Sequence, residues 1–413
     1  MTQGGSAALE EHISAHFGAE NRPLGIAVSG GSDSVALLHL MADWGGAPLR
    51  CVTVDHRLRP EAAAEAEGVA RQCEALGIAH DILVWDNWDG QGNLSAAARA
   101  ARYALIGDWA ARHGLAGVAL GHTADDVAET LLMRMARRAG VDGLAAMQPR
   151  RSAYGTVLHR PLLGAFREDL RAWLAARGIG WIEDPSNDDP AYRRTAARRA
   201  LVHLAPLGLG AASLADVAAH LAEARATLGH YAAEEAGRIA RAELGDLLLD
   251  ADGFAALRPD IARRILAAGL GWIAGGVARG PEVTRALARL KEGRGTTLAG
   301  CRITHSKGSI RLAREGGALA GIRADPGTIW DGRWTLVGPP APEGAYIAAL
   351  GAEGRALCPD WRASGLPAAS IDASPALWHA GALLSAPLAG RADGYAATPC
   401  RTLRDLTASL LSH

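Results

Sequence analysis

The chain has 413 residues, enough for two or three domains with a sizeable core, and 49% of them are apolar, which excludes a disordered chain. No apolar run reaches the roughly 18–20 residues of a membrane span, the N-terminus lacks a signal-peptide core, and no two cysteines form a Cys-x-x-Cys pair. The expectation is a soluble cytoplasmic protein without a membrane partner, zinc ribbon, iron–sulfur cluster or dithiol centre, whose Cys51 and Cys73 pack a core.

In chain order, Leu24–Val28 reads as a strand, followed by a Gly/Ser turn and an amphipathic helix over Ser34–Trp44. Leu49–Val54, His80–Val84 and Gly117–Leu120 read as further strands. Glu61–Leu76, Leu94–His113 and Asp125–Arg138 read as the helices that alternate with them. The repeated strand–helix units predict an α/β fold with a doubly wound parallel sheet, whose ligand site lies beyond the carboxyl ends of the strands. Phe166–Arg177 reads as another helix closed by Gly178, and Asp184-Pro185-Ser186-Asn187 as a turn. Ala211–Lys291 reads as a helical region, and Thr296–Arg314 as a Gly-rich hairpin. From Ile329 the texture turns to Pro, Gly and short apolar runs, as in a small α+β domain. The expected division is 1–205, 206–318 (mainly helical) and 325–413.

Net charge is −1, which gives no hint of a nucleic-acid partner, but arginines gather at Arg134, Arg137, Arg138, Arg150, Arg151 and Arg160, and again at Arg193, Arg194, Arg198 and Arg199. Each cluster is either a solvated helical face or a phosphate contact.

The chemistry concentrates after the first strand, in Ser29-Gly30-Gly31-Ser32-Asp33-Ser34. Two glycines at a strand–turn–helix junction let backbone amides approach an anion, and the helix start adds partial positive charge. Asp33 beside a phosphate calls for a Mg²⁺ between them, or for a role at the helix N-cap. A Walker A loop needs Gly-Lys-Ser/Thr and a dinucleotide fingerprint needs Gly-x-Gly-x-x-Gly; this loop has neither. After the fourth strand, His122, Asp125, Asp126 and Glu129 occupy a strand end and the first turns of a helix. Asp126 and Glu129 share a face and can hold a cationic amine or a Mg²⁺. Thr123 and Asp126 equally fit a capping box.

The Ser-Gly-Gly-x-Asp-Ser loop resembles the pyrophosphate-binding loop of the N-type ATP pyrophosphatases, the PP-loop superfamily. Val54–Arg59, Ala98-Arg99 with Arg102-Tyr103, Gly121–Thr130, Arg160–Leu163 and Trp181–Asn187 together resemble the tRNA(Ile)-lysidine synthetase family. The resemblance covers about residues 22–205 strongly, and Thr297–Glu315 and Trp330–Trp334 weakly. It implies ATP and Mg²⁺ as cofactors, and L-lysine and an isoleucine tRNA with a CAU anticodon as partners. It is compatible with a homodimer. It implies that the loop Ser29–Ser34 and His56, Arg99, Gly121 and His122 lie at the nucleotide, with Asp33 able to hold Mg²⁺. Asp126 and Glu129 would bind lysine, with Arg102, Arg194 and Arg198 at the nucleotide or tRNA, and Asp33, Asp126 and Glu129 would carry catalysis. Thr195 stands where the family usually has Asn. The rival reading, a tRNA thiolation enzyme with the same loop, commonly needs a cysteine pair. Trp330–Trp334 fits a packed hairpin or a base-stacking platform.

Overall fold

The computed structural model describes residues 3–57, 62–86, 88, 91–183, 193–276, 278–306 and 308–412. It divides into two compact units, Met1–Ala224 and Arg225–His413. The turn expected at Asp184–Asn187, and Leu58, Arg59, Glu61 and Tyr192, lie outside the described residues.

The elements of the first part of the chain are α1 (Gln3–Phe17), β1 (Leu24–Ala27), α2 (Ser32–Trp44), β2 (Leu49–Asp55), α3 (Ala62–Ala75), β3 (Ala79–Val84), α4 (Leu94–Arg112) and β4 (Gly117–Leu120). They continue with α5 (Ala124–Met135), α6 (Val141–Leu144), β5 (Arg150–Ala153), β6 (Thr156–His159), α7 (Arg167–Ala176), α8 (Arg193–Leu204) and α9 (Ala211–Ile239). One sheet runs β3-β2-β1-β4-β6-β5, parallel except for β5. Ile26 of β1 pairs with Cys51 of β2 on one side and with Ala119 of β4 on the other. The chain therefore winds one way from β1 to β3 and the other way from β4. That reversal opens a crevice beyond the carboxyl ends of β1 and β4.

Packing follows from the side chains. Val35, Ala36, Leu37, Leu38, Leu40 and Met41 make α2 apolar nearly all round, so it is buried, in contact with α1 and α7. It stops at Gly45, which is left-handed and donates its amide to the Met41 carbonyl. In a separate core, Tyr103, Ile106 and Trp109 of α4 pack with Val52, Val118, Leu120 and Leu158. α5 turns Val127, Ala128 and Leu131 toward Leu214 and Ala218. Cys51 and Cys73 are both buried in the α2 core, as expected.

Some elements differ from the sequence reading. The N-terminal segment forms α1, because Leu9, Ile13 and Phe17 recur at helical spacing and are buried. A hairpin, β5–β6, turns through Tyr154 and Gly155, both at positive φ (54° and 74°), as a tight two-residue hairpin turn demands.

In the second unit, the stretch expected to be helical to Lys291 contains the hairpin β7 (Ala240–Glu243) and β8 (Asp246–Asp250) before α10 (Ala251–Ala256), α11 (Pro259–Ala274) and α12 (Gly280–Lys291). Leu247-Leu248-Leu249 is an apolar run too short for periodicity to separate strand from helix, and all three are buried in the strand. The expected hairpin follows as β9 (Thr296–Leu298), β10 (Cys301–Ser306) and β11 (Ser309–Arg314).

The C-terminal part has β12 (Trp334–Val337), β13 (Tyr346–Ala349), α13 (Gly351–Ala356), α14 (Ala368–Asp372), β14 (Pro375–His379), β15 (Ala382–Ser385), β16 (Ala396–Pro399) and α15 (Leu403–Leu411). It is the expected small mixed α and β texture. Trp330 and Trp334 are buried, and the Trp330 amide donates to the Trp334 carbonyl at 2.8 Å. They are core, not a stacking platform. Among the described residues, no single helix is long and apolar enough to cross a membrane.

Candidate active site

The crevice is floored by the loop between β1 and α2. Gly30 is left-handed (φ 88°), a conformation that glycine alone adopts without strain. Its carbonyl accepts the Ile182 amide at 2.9 Å, which ties the segment after α7 to the loop. The Ser34 hydroxyl closes the turn, donating to the Gly31 carbonyl at 2.9 Å and accepting the Ser29 amide at 3.1 Å. Gly31 caps α2 and contributes no side-chain hydrogen bond, so Asp33 is not the cap but a first-turn residue. The leading amides of a helix start lack partners within the helix, and at α2 these belong to the end of this loop. Gly121, at the end of β4, lies against this turn: a Cβ there would stand 2.9 Å from the Asp33 carbonyl oxygen. Its glycine identity thus serves backbone packing.

Asp33 is joined to the acidic cluster by one side chain, Arg167. Its Nε is 3.0 Å from Asp33 Oδ2, and its terminal nitrogens are 3.6 Å from Asp126 Oδ1 and 3.4 Å from Glu129 Oε1. The Arg167 backbone amide donates to Asp125 Oδ2 at 2.8 Å, which caps α7 from the neighbouring helix. Two residues of α8 complete the network. Arg194 approaches Asp126 Oδ1 at 3.6 Å and Glu129 Oε2 at 3.0 Å, and Arg198 Nε donates to Glu129 Oε1 at 2.9 Å.

Glu129 is wholly buried and faces three guanidinium groups, yet its Oε2 has no hydrogen-bond partner among the described residues. The Arg194 Nε opposite it is a charge contact without hydrogen-bond alignment. Asp126 does two jobs. Its Oδ2 accepts the Thr123 amide at 3.0 Å in the anticipated capping box, while Oδ1 faces the arginines.

Charge balance sets the protonation states. Burial raises the Asp33 carboxyl above its ordinary range, and the Arg167 charge only partly offsets this. Burial also acts to raise Asp126, but Arg194, His122, the Thr123 amide and Arg167 outweigh it and hold the carboxyl below its ordinary range. Burial pushes His122 down to about 3, with Asp126 opposing and Arg160, Arg102 and Arg194 adding to the fall. Its ring is therefore neutral near pH 7, and its Nδ1 has no partner among the described residues. His56 is likewise lowered by burial and by the Arg102 charge, and meets Trp85 edge-on at 5.7 Å.

The structure thus brings together Asp33, Asp126, Glu129, Arg194 and Arg198, with the charges of His122 and Asp126 acting on each other. Arg99 and Arg102 are not in the carboxylate network; both guanidiniums lie over the Tyr103 ring, at 5.1 and 5.0 Å. Within the first arginine cluster, Arg134 and Arg160 hold backbone carbonyls of Gly143 and Gln148, while Arg137, Arg138 and Arg151 are exposed. Thr195 is buried on α8.

Two site arginines escaped the sequence reading. Arg167 is the hub of the network, and Arg171 reaches the Ser32 hydroxyl at 3.3 Å while paired with Glu183 at 3.0 Å. A signal existed for Arg167: a cation at the first position of a helix opposes the helix dipole and asks for anions elsewhere.

The PP-loop domain profile matches residues 6–205. The chain is 50% identical to a tRNA(Ile)-lysidine synthase of Ruegeria pomeroyi, over 99% of both chains. It is 41% identical to a tRNA(Ile)-lysidine synthase of Methylobacterium nodulans, over 71% of this chain and 88% of that one. Among solved structures, it is similar to the U34-tRNA thiolase NcsA of Methanococcus maripaludis, at 15% identity and a TM-score of 0.46, covering 53% of this chain and 79% of that one.

Proposed function

We propose a residue-level mechanism from one premise: the chain belongs to the tRNA(Ile)-lysidine synthase family of PP-loop proteins. It is an ATP-using, AMP-forming ligase. It attaches L-lysine to C2 of the wobble cytidine of an isoleucine tRNA with a CAU anticodon, through an adenylated tRNA intermediate, releasing pyrophosphate and AMP. The reaction belongs to the cytoplasm, where tRNA is modified. The rival thiolation reading rests on a distant fold likeness alone, and the sequence carries no Cys-x-x-Cys pair.

The observation that carries the mechanism is the linkage of Asp126 and Glu129 to Asp33 of the glycine loop through Arg167. The Ser29–Ser34 loop receives the β- and γ-phosphates on the amides at the head of α2, with Arg171 beside Ser32 as a further cation. No group of three His, Cys, Asp or Glu side chains suited to a metal occurs among the described residues. Asp33 is the one carboxylate of the glycine loop itself, which suits a Mg²⁺ that would arrive with the triphosphate and take one or two protein carboxylates. Asp33 would hold it, and the ion would supply neutralising charge to the departing pyrophosphate.

Adenylation turns the C2 oxygen of the cytidine into a leaving group. Asp126, kept ionised by its arginines, and Glu129 receive the lysine ammonium. Glu129 Oε2, the carboxylate oxygen with no hydrogen bond, takes the amine proton so that the neutral nitrogen attacks C2. Arg194 and Arg198, with side chains 39% and 35% exposed, are the partners that yield to the ammonium; they then face the tRNA phosphates. His122, neutral, lies beside the nucleotide. Residues 1–205 do this chemistry, and residues 206–318 and 325–413 bind the tRNA.

The test is lysine transfer by the full chain with ATP, Mg²⁺, labelled lysine and a CAU-anticodon isoleucine tRNA transcript. Label in the tRNA and stoichiometric AMP, both dependent on every component, are expected. AMP formation indifferent to tRNA, or tRNA left unlabelled, refutes the reading.

A further inference from the structure

Outside the carboxylate network, an aromatic and cationic surface stands at the hairpin between β5 and β6. Tyr154, at the hairpin tip, is 48% exposed, a large aromatic ring left in solvent. Its backbone is left-handed (φ 54°), a conformation that bulky side chains avoid. The fold holds it there: a Cβ on Gly107 of α4 would collide with the Tyr154 carbonyl, so the turn sits directly on that helix. The Tyr154 ring stacks on Tyr103, with centroids 5.5 Å apart and planes 17° apart. Tyr103 is buried, and Arg99 and Arg102 lie over its ring. Arg160, also buried, contributes positive charge that lowers the pKa of both Tyr103 and His122. The Nε atoms of Arg102 and Arg160 have no hydrogen-bond partner among the described residues.

We propose that the free face of Tyr154 is a stacking platform for an unpaired base of the anticodon loop next to the wobble cytidine, with Arg99 and Arg102 at the adjoining phosphates. The inference rests on the tRNA-modifying reading above. A half-exposed ring, backed by a second ring that itself carries two guanidiniums, matches how proteins bind single-stranded nucleotides: bases stack on aromatics while cations track the backbone. Stacking here fixes the loop while the wobble base itself is turned into the crevice, as a base must be when chemistry is done on it. The stack on Tyr103 covers one face of the ring only, and glycine or asparagine suits that backbone better, so packing on Tyr103 leaves the exposed half of the tyrosine without a structural partner.

The experiment compares the full chain with Tyr154→Gly, Tyr154→Asn and Tyr154→Trp, measuring Kd and KM for the tRNA at one fixed salt concentration, and thermal stability. Glycine and asparagine both accept the left-handed backbone, so neither variant is expected to unfold. Tyr154→Gly and Tyr154→Asn should bind tRNA roughly tenfold more weakly, with kcat at saturating tRNA and KM for ATP and lysine unchanged. Tyr154→Trp should bind as well as the parent. The salt dependence of binding should keep its slope, because a neutral ring has been lost. A KM shift for ATP instead of tRNA, or wild-type Kd in the glycine variant, overturns the platform alone. A parent chain that does not bind the tRNA overturns both the platform and the reading beneath it.

Discussion

Arg167 Nε lies 3.0 Å from Asp33 Oδ2, so the first turn of α7 is fastened to the first turn of α2, beside the glycine loop. The same guanidinium also faces Asp126 and Glu129. Burial would lower the Arg167 pKa, but the three carboxylates outweigh it and raise it, so this cation is permanent.

Arg167→Met leaves three partly or wholly buried carboxylates short of a counter-charge. Removing one partner of a buried ion pair costs about 3–5 kcal/mol. Partial exposure of Arg167 and Asp33 brings the expected loss toward the lower end. Urea unfolding at pH 7 measures it, and a midpoint equal to the parent's refutes the hub role. Arg167→Lys should recover little, because a lysine is a point charge and cannot span the separated carboxylates.

Glu129→Gln preserves shape and removes charge and basicity at the oxygen pair proposed to receive lysine. Lysine transfer should fall by about a hundredfold or more, the size of a lost general base. Adenylation precedes the step, so pyrophosphate should still be released, about once per tRNA, and a quench assay separates the two products. Unimpaired lysine addition at neutral pH would remove Glu129 from the mechanism.

Gly121→Ala tests the contact between the end of β4 and the phosphate loop. The new methyl meets backbone atoms of Asp33 at 2.9 and 3.0 Å, which cannot rotate away as a side chain would. The loop must shift, so KM for ATP should rise about tenfold, a cost of roughly 1.4 kcal/mol. KM for ATP within a factor of two of the parent contradicts the packing argument.

Asp81 provides a pH test away from the site. The Arg50 guanidinium, hydrogen-bonded at 2.7 Å, is the main cause that holds its carboxyl at about 2, below the ordinary 3.8; burial opposes, and the Trp109 indole adds at 2.8 Å. A carboxyl depressed in the folded state contributes stability that is present above its unfolded pKa and is lost as pH falls through the folded one. Asp81→Asn should therefore cost about 1 kcal/mol at pH 7, after allowance for solvent screening of this partly exposed pair. The difference from the parent should shrink between pH 4 and pH 2. A difference that stays constant over that window means the pair adds nothing through charge.

The strand–helix alternation and the Ser29–Ser34 signature are local: each rests on residues close in the chain, where period, turn chemistry and glycine freedom act directly. They were enough to fix the parallel sheet, the glycine turn between β1 and α2, and the family. Asp126 and Glu129 were legible as well, because helical spacing puts them on one face. Tertiary structure decided what those acids meet. Arg167 lies 38 residues beyond Glu129, and Arg198 lies 69 beyond it; no periodicity links them, and only the winding of the sheet about β1 and β4 brings α5 and α7 together with α8. Burial decided the rest. The depressed His122, the raised Asp33 and the stacking of Tyr154 on Tyr103 depend on which side chains exclude water from which, and that is a property of the packed chain rather than of any segment of it.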